Sequence, residues 1–123
     1  MPSWQPNWSD VRWNWAAAEE AAAELCRVAD LIEQLTAHRR RMAAEATATW
    51  RGGHRRRFDG ELADIVRDAQ SIAYEYRRMA AAIRTASEAA RAEQLRREAE
   101  RRRWWEEKRR EEEEARRRQR RNR

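Results

Sequence analysis

From Asp10 onward the apolar positions of the chain recur with a helical period. Val11, Trp15, Ala18, Ala22, Leu25, Ala29 and Ile32 are separated by alternating steps of four and three, which keeps them on one side of an α-helix. Ala43 and Trp50 follow after a polar stretch, and Val28, Leu31, Leu35, Met42 and Ala46 widen the stripe into a full face. Trp50-Arg51-Gly52-Gly53 interrupts the pattern. A glycine just past the last periodic residue ends helices because it takes a left-handed conformation without a Cβ clash. These residues therefore predict the turn of a hairpin, at 50–53.

A second stripe resumes at once. Phe58, Leu62, Ile65, Ala69, Ile72, Tyr76, Met79, Ile83, Ala86 and Ala90 again alternate in steps of four and three. Gly60 is its one blemish, and signals either close packing or a helix that settles only after Asp59. Residues 10–48 and 54–95 are thus expected as two helices. At about 1.5 Å per residue each is roughly 60 Å long, so the two can lie antiparallel. Residues 1–9 read as an irregular arm carrying Pro2 and Pro6. The preferred N-cap of the first helix is Ser9, ahead of Asn7 or Asp10, with Trp8 stapled against the first turn.

Composition agrees with an all-α fold. Alanine, glutamate and arginine dominate, all good helix formers, and the chain holds only three Gly and two Pro. The β-branched and aromatic runs that mark strands are missing.

The net charge of +6 sits at one end. Residues 96–123 hold 14 of the 28 Lys+Arg and 8 of the 22 Asp+Glu, leaving residues 1–95 formally neutral. Beyond Leu95 the apolar stripe stops, and Glu98–Arg102, Glu106–Arg110 and Glu112–Arg116 repeat i,i+4 pairing. That predicts a charged C-terminal extension that is helical or frayed and packs on nothing, interrupted by Trp104 and Trp105. Of the 28 basic residues only Lys108 is lysine, a bias expected of a GC-rich, actinobacterial genome.

The residues also narrow the chemistry. Cys26 stands alone, so no internal disulfide is possible. No apolar stretch fits a Sec-type leader or a membrane span, so synthesis in the cytoplasm is expected, with any export by a Sec-independent route. His38 and His54 lack the carboxylate or cysteine company of a metal site. No nucleophile–base pair or phosphate-cradling glycine loop appears. The reading is a non-enzyme with no cofactor. Eight glutamates interleaved with the tail arginines argue against nucleic acid, since they repel the phosphates that the arginines attract. A nucleic-acid-associated or structural coiled-coil protein using the basic tip (Arg39–Arg41, Arg51, His54–Arg57) and the tail is the alternative.

A two-helix hairpin has one internal seam, and these faces are wider than one seam. Pairing two hairpins into a four-helix bundle would bury the remainder. Val11, Trp15, Leu25, Ile32, Phe58, Leu62, Ile65, Ile72, Met79 and Ile83 are the candidate core and partner interface.

Trp50-Arg51-Gly52 between two amphipathic helices, with Phe58 early in the second, resembles the WXG family of small Esx-like proteins exported by type VII secretion systems. The resemblance covers residues 10–95. It implies an antiparallel hairpin that forms a homodimer, or a heterodimer with a related WXG-like protein. It also implies Trp50 and Gly52 as the recognised turn, contact with the secretion ATPase, and a secreted or cell-surface destination. The family's Tyr-x-x-x-Asp/Glu export pattern is absent, since Tyr74 is followed four residues on by Arg78 and Tyr76 by Ala80.

Overall fold

The computed structural model describes residues 1–123 and is all-helical. Helix α1 spans Trp15–Ala46 and helix α2 spans Gly53–Arg121, and the two pack against each other as a hairpin. The chain divides into two compact units, residues 14–85 and residues 1–13 with 86–123. The first contains α1, the turn and the first part of α2. The second contains the N-terminal arm and the rest of α2.

The start of α1 differs from expectation. Its N-cap is Asn14, not Ser9: the Asn14 side chain accepts from the Ala17 amide at 2.9 Å, and its carbonyl accepts from Ala18 at 3.0 Å. The upstream residues are held elsewhere. The Ser9 amide is turned onto the Asn7 side chain, and the Val11 amide donates to Gln94. Trp8 does not staple α1, because its ring lies against Trp104 and Trp105.

The far end of α1 differs too. The helix stops at Ala46, with Thr47 as its C-cap in an ordinary conformation of φ −101°. The Thr47 hydroxyl donates back to the Ala43 carbonyl at 2.7 Å, and Thr47 O accepts from Trp50 N at 2.9 Å, closing a turn. Thr47 is accordingly the one polar residue buried in the chain. The left-handed residue is Gly52, at φ +85°, and it serves the start of α2 rather than the end of α1. Its carbonyl accepts from Arg56. A Cβ built on Gly52 would meet nothing within 4 Å, so the backbone angle, not space, requires glycine there. Gly60 lies inside continuous helix with open space around it, so neither close packing nor a late start explains it.

Within residues 14–85 the seam is built from small side chains. Ala22 and Ala29 on α1 are fully buried, and Ala73 and Ala80 on α2 are 1% exposed. Each pair is seven residues apart, the heptad spacing of packed helices. Taking these alanines as position a, position d carries Leu25 and Ile32 on α1 and Leu62, Ala69, Tyr76 and Ile83 on α2, all half-buried. The expected second stripe therefore sits one column off the true seam. Leu62, Ala69, Tyr76 and Ile83 belong to the seam, whereas Ile65, Ile72 and Met79 fall at position g and stay about half exposed. Large side chains drew the reading toward g, while the alanines that let the backbones approach were missing from it.

Two substitutions test this arrangement by thermal or denaturant melting. Ala29→Leu inserts volume where no gap exists and should destabilise the hairpin by about 1–3 kcal/mol. Gly60→Ala should stabilise it by about 0.5–1 kcal/mol, since the helix is unstrained and the added methyl meets nothing.

Candidate functional site

The heptad register gives the hairpin of residues 14–85 two unlike sides. On one side, position e of α1 meets position e of α2 through ion pairs. Arg84 on α2 donates to both Glu19 oxygens, at 2.9 and 3.2 Å, and approaches the Cys26 sulfur at 4.0 Å. Two helical turns nearer the loop, Arg77 pairs with Asp30 at 2.7 Å and also with Glu33. The guanidinium of Arg84 hydrogen-bonds Glu19 and holds its carboxyl below its usual range, and Arg77 does the same to Glu33. These groups are largely exposed, so they align the helices more than they stabilise them.

The opposite side has no such pairs. In an antiparallel pair whose e positions meet, the g positions of both helices lie together on the other side. Position g carries Val28, Leu35 and Met42 on α1, and Phe58, Ile65, Ile72 and Met79 on α2. Leu31 extends the apolar surface beyond Val28 and Leu35. Leu31, Leu35, Met42, Ile65, Ile72 and Met79 are 47–55% exposed. Isolated exposed apolar residues are ordinary, but six on one side of one hairpin form a contiguous patch of the kind that marks a binding surface.

The turn adds an aromatic tip. Trp50 is 46% exposed, and its ring meets Phe58 edge-on with centroids 5.7 Å apart. Arg55 is spent locally, on the Thr47 carbonyl and on Asp59 at 3.1 Å, and Arg51 on the carbonyls of Ala48 and Trp50. The guanidinium groups of Arg39, Arg40, Arg41, Arg56 and Arg57 form no ion pair or hydrogen bond.

Of the candidate residues, Trp15, Leu25, Ile32, Leu62 and Ile83 lie half-buried in or beside the seam, and Ile65, Ile72 and Met79 on the open face. Phe58 and Trp50 meet at the tip. Val11 belongs to the other unit, as part of the arm. No group of three or more His, Cys, Asp or Glu gathers as a metal site would need, and no helix is long and apolar enough to cross a membrane.

The tail continues α2 as a helix to Arg121, one of the two forms expected, but its packing differs from expectation. It does not pack on nothing: Trp104 is 5% exposed, and the N-terminal arm covers it. The Met1 amine pairs with Glu111 at 2.8 Å, and Trp4 Nε1 donates to Glu107 at 2.7 Å. Trp104 Nε1 donates to Trp4 O at 3.0 Å, and Trp8 lies edge-on to Trp104 at 5.2 Å. Arg101 donates to the carbonyls of Asn7 and Ser9 and to the Asp10 carboxylate, and Trp13 Nε1 donates to Ser87. From Met1–Glu111 to Trp13–Ser87 the helix advances two residues for every arm residue. That ratio fits an arm rising about 3 Å per residue along a helix rising about 1.5 Å. Pro2 and Pro6, both buried, favour that extended form. Guanidinium and ammonium groups stack on the indoles, Arg103 over Trp4 at 4.6 Å and Lys108 over Trp105 at 5.0 Å. The available signal was the presence of tryptophans at both ends of the chain with no apolar stripe around them.

No family model matches the chain, and no curated protein or solved structure matches it significantly.

The arm contact should depend on pH. The Gln94 amide and then the Arg101 guanidinium bond the Asp10 carboxylate and hold it below its ordinary value. A carboxyl depressed in the folded state contributes above its unfolded value, near 4, and loses that contribution as pH falls. Hydrogen-exchange protection of the Val11 amide, bonded to the same Gln94, should therefore drop between about pH 5 and pH 3. Asp10→Asn should remove most of that pH dependence.

Proposed function

We propose that this protein acts by binding, as a helical hairpin whose open apolar face pairs with helices of another chain. One observation carries the reading. The deepest residues of the hairpin are alanines, which bury little area, while six larger aliphatic side chains remain about half exposed on one side. A hairpin with so thin a seam gains much by covering that side, and a four-helix bundle is the packing that covers it. Chemistry at a site of its own is not part of this reading.

The resemblance to the WXG family supplies the setting. In that setting the protein is a substrate, partner or adaptor of a type VII secretion system, with a related WXG-like chain as its bundle partner. Trp50 and Gly52 at the turn are the part read by the secretion ATPase, and the route out of the cytoplasm is Sec-independent. Trp50 suits that role because it is half exposed at the turn, although Phe58 holds one edge of its ring. A second reading has its own support in the five unpaired arginines near the turn, which suit a phosphate backbone.

Sedimentation equilibrium with absorbance at 260 and 280 nm separates these readings. Under the first, the full chain associates, alone or with its partner, and carries no nucleic acid. Leu35→Asp with Ile72→Asp should then weaken association at least about tenfold with helix content unchanged, because both positions are exposed in the single hairpin. Nucleic acid that co-purifies and is stripped by salt would favour the second reading. Trp50→Ala should leave association intact while abolishing recognition at the tip.

A further inference from the structure

The charges bordering the open face say what kind of helix it fits. This inference rests on the proposed binding role of that face and specifies its partner. Next to position g on each helix comes position c. On α1 the c positions are Ala17, Glu24, Leu31, His38 and Glu45, and on α2 they are His54, Glu61, Asp68, Glu75 and Ala82. The border therefore carries five carboxylates and no lysine or arginine.

Glu24 pairs with Arg27 and Glu75 with Arg78, at 3.6 Å, both on the same helix and one column further out. Glu45, Glu61 and Asp68 have no ion pair. The arginines of the hairpin lie elsewhere. Arg77 and Arg84 are held on the opposite, ion-paired side, and the remaining arginines lie at or near the turn or in the outer columns.

We infer that the apolar face receives a helix, or a pair of helices, whose own apolar stripe is bordered by lysine and arginine, and that it does not receive a second copy of this chain. A partner laid on the g columns brings its flanking residues beside the c columns. A second copy would bring carboxylates against carboxylates whichever helix packed on which, since both borders are acidic. Like charges facing across an interface select against a pairing, and opposite charges select for it. The apolar residues supply the attraction and the border sets who is accepted.

The test uses the full chain and two designed helical peptides of about 20 residues, long enough to span the face. Both carry the same Leu/Ile stripe. One flanks it with lysine and the other with glutamate. Binding is read by fluorescence anisotropy, alongside sedimentation of the protein alone. The lysine-flanked peptide should bind about tenfold tighter or more, as several border pairs of modest strength would give. Raising salt from about 0.1 M to about 1 M shortens the screening length from about 10 Å to about 3 Å and should shrink that preference. Glu61→Lys with Asp68→Lys should cancel or reverse it without changing helix content.

Equal binding of the two peptides, with both lost in Leu35→Asp/Ile72→Asp, would leave the face as a binding site and overturn the charge selection. Binding of either peptide that ignores Leu35→Asp/Ile72→Asp would overturn the face itself. A tight self-dimer that Ile72→Asp disrupts and Glu61→Lys/Asp68→Lys does not strengthen would equally overturn the inference.

Discussion

The close approach of two alanine columns is the constraint on which the hairpin depends. Ala22 and Ala29 against Ala73 and Ala80 leave no side chain longer than a methyl at the centre of the seam. Helix separation is set by the side chains at the contact, and alanines there let the backbones approach closely. Once the backbones are that near, the columns on either side are fixed by helical geometry. Column e of each helix meets its counterpart with Glu19, Glu33, Arg77 and Arg84, while column g collects Val, Leu, Met and Ile. A larger residue at any of the four alanines would separate the helices and loosen both sides together.

The seam also explains a division of labour. Alanine gives proximity but little hydrophobic free energy, because about 0.8 kcal/mol attends each buried methylene and alanine has almost nothing to bury. The side chains with area to offer lie mainly at d, half-buried, and at g, half-exposed. Stability and recognition thus draw on the same residues. A face that is unsatisfied in one hairpin is at once a weakness of the monomer and the means by which a partner is held. The arm solves the equivalent problem at the tail differently: Trp104 finds cover within the same chain, from Trp4 and Trp8.

Much of this was legible in the sequence, and the exceptions have physical causes. Helix content, the number of helices and the turn followed from periodicity and from two adjacent glycines in a glycine-poor chain. Which column of α2 forms the seam did not. Phe58, Ile65, Ile72 and Met79 outweigh Val66, Ala73 and Ala80 on any hydrophobic count, yet packing distance favours the small residues. The boundaries of α1 moved inward because local hydrogen bonds were available to compete: Asn14 caps α1 while Asp10 and Val11 are claimed by Gln94 and Arg101. The arm's docking escaped because it rests on pairs some 75 to 110 residues apart, which no local period reports.

Burial and charge carry different information about a binding face, and the distinction decides how far its partner can be specified. Exposed aliphatic side chains at g state that something covers them, and almost any amphipathic helix would do. The carboxylates at c are more selective, because each costs nothing in water and acquires a preference only when another chain brings charge beside it. Glu45, Glu61 and Asp68 satisfy nothing within the hairpin. Arg39, Arg40, Arg41, Arg56 and Arg57 are likewise unpaired, but they gather toward the turn. The hairpin therefore offers charge of one sign along its apolar flank and of the other near its tip. A partner lying along the flank and a partner meeting the tip are selected by opposite signs, so the two surfaces can be engaged by different molecules without competing for the same chemistry.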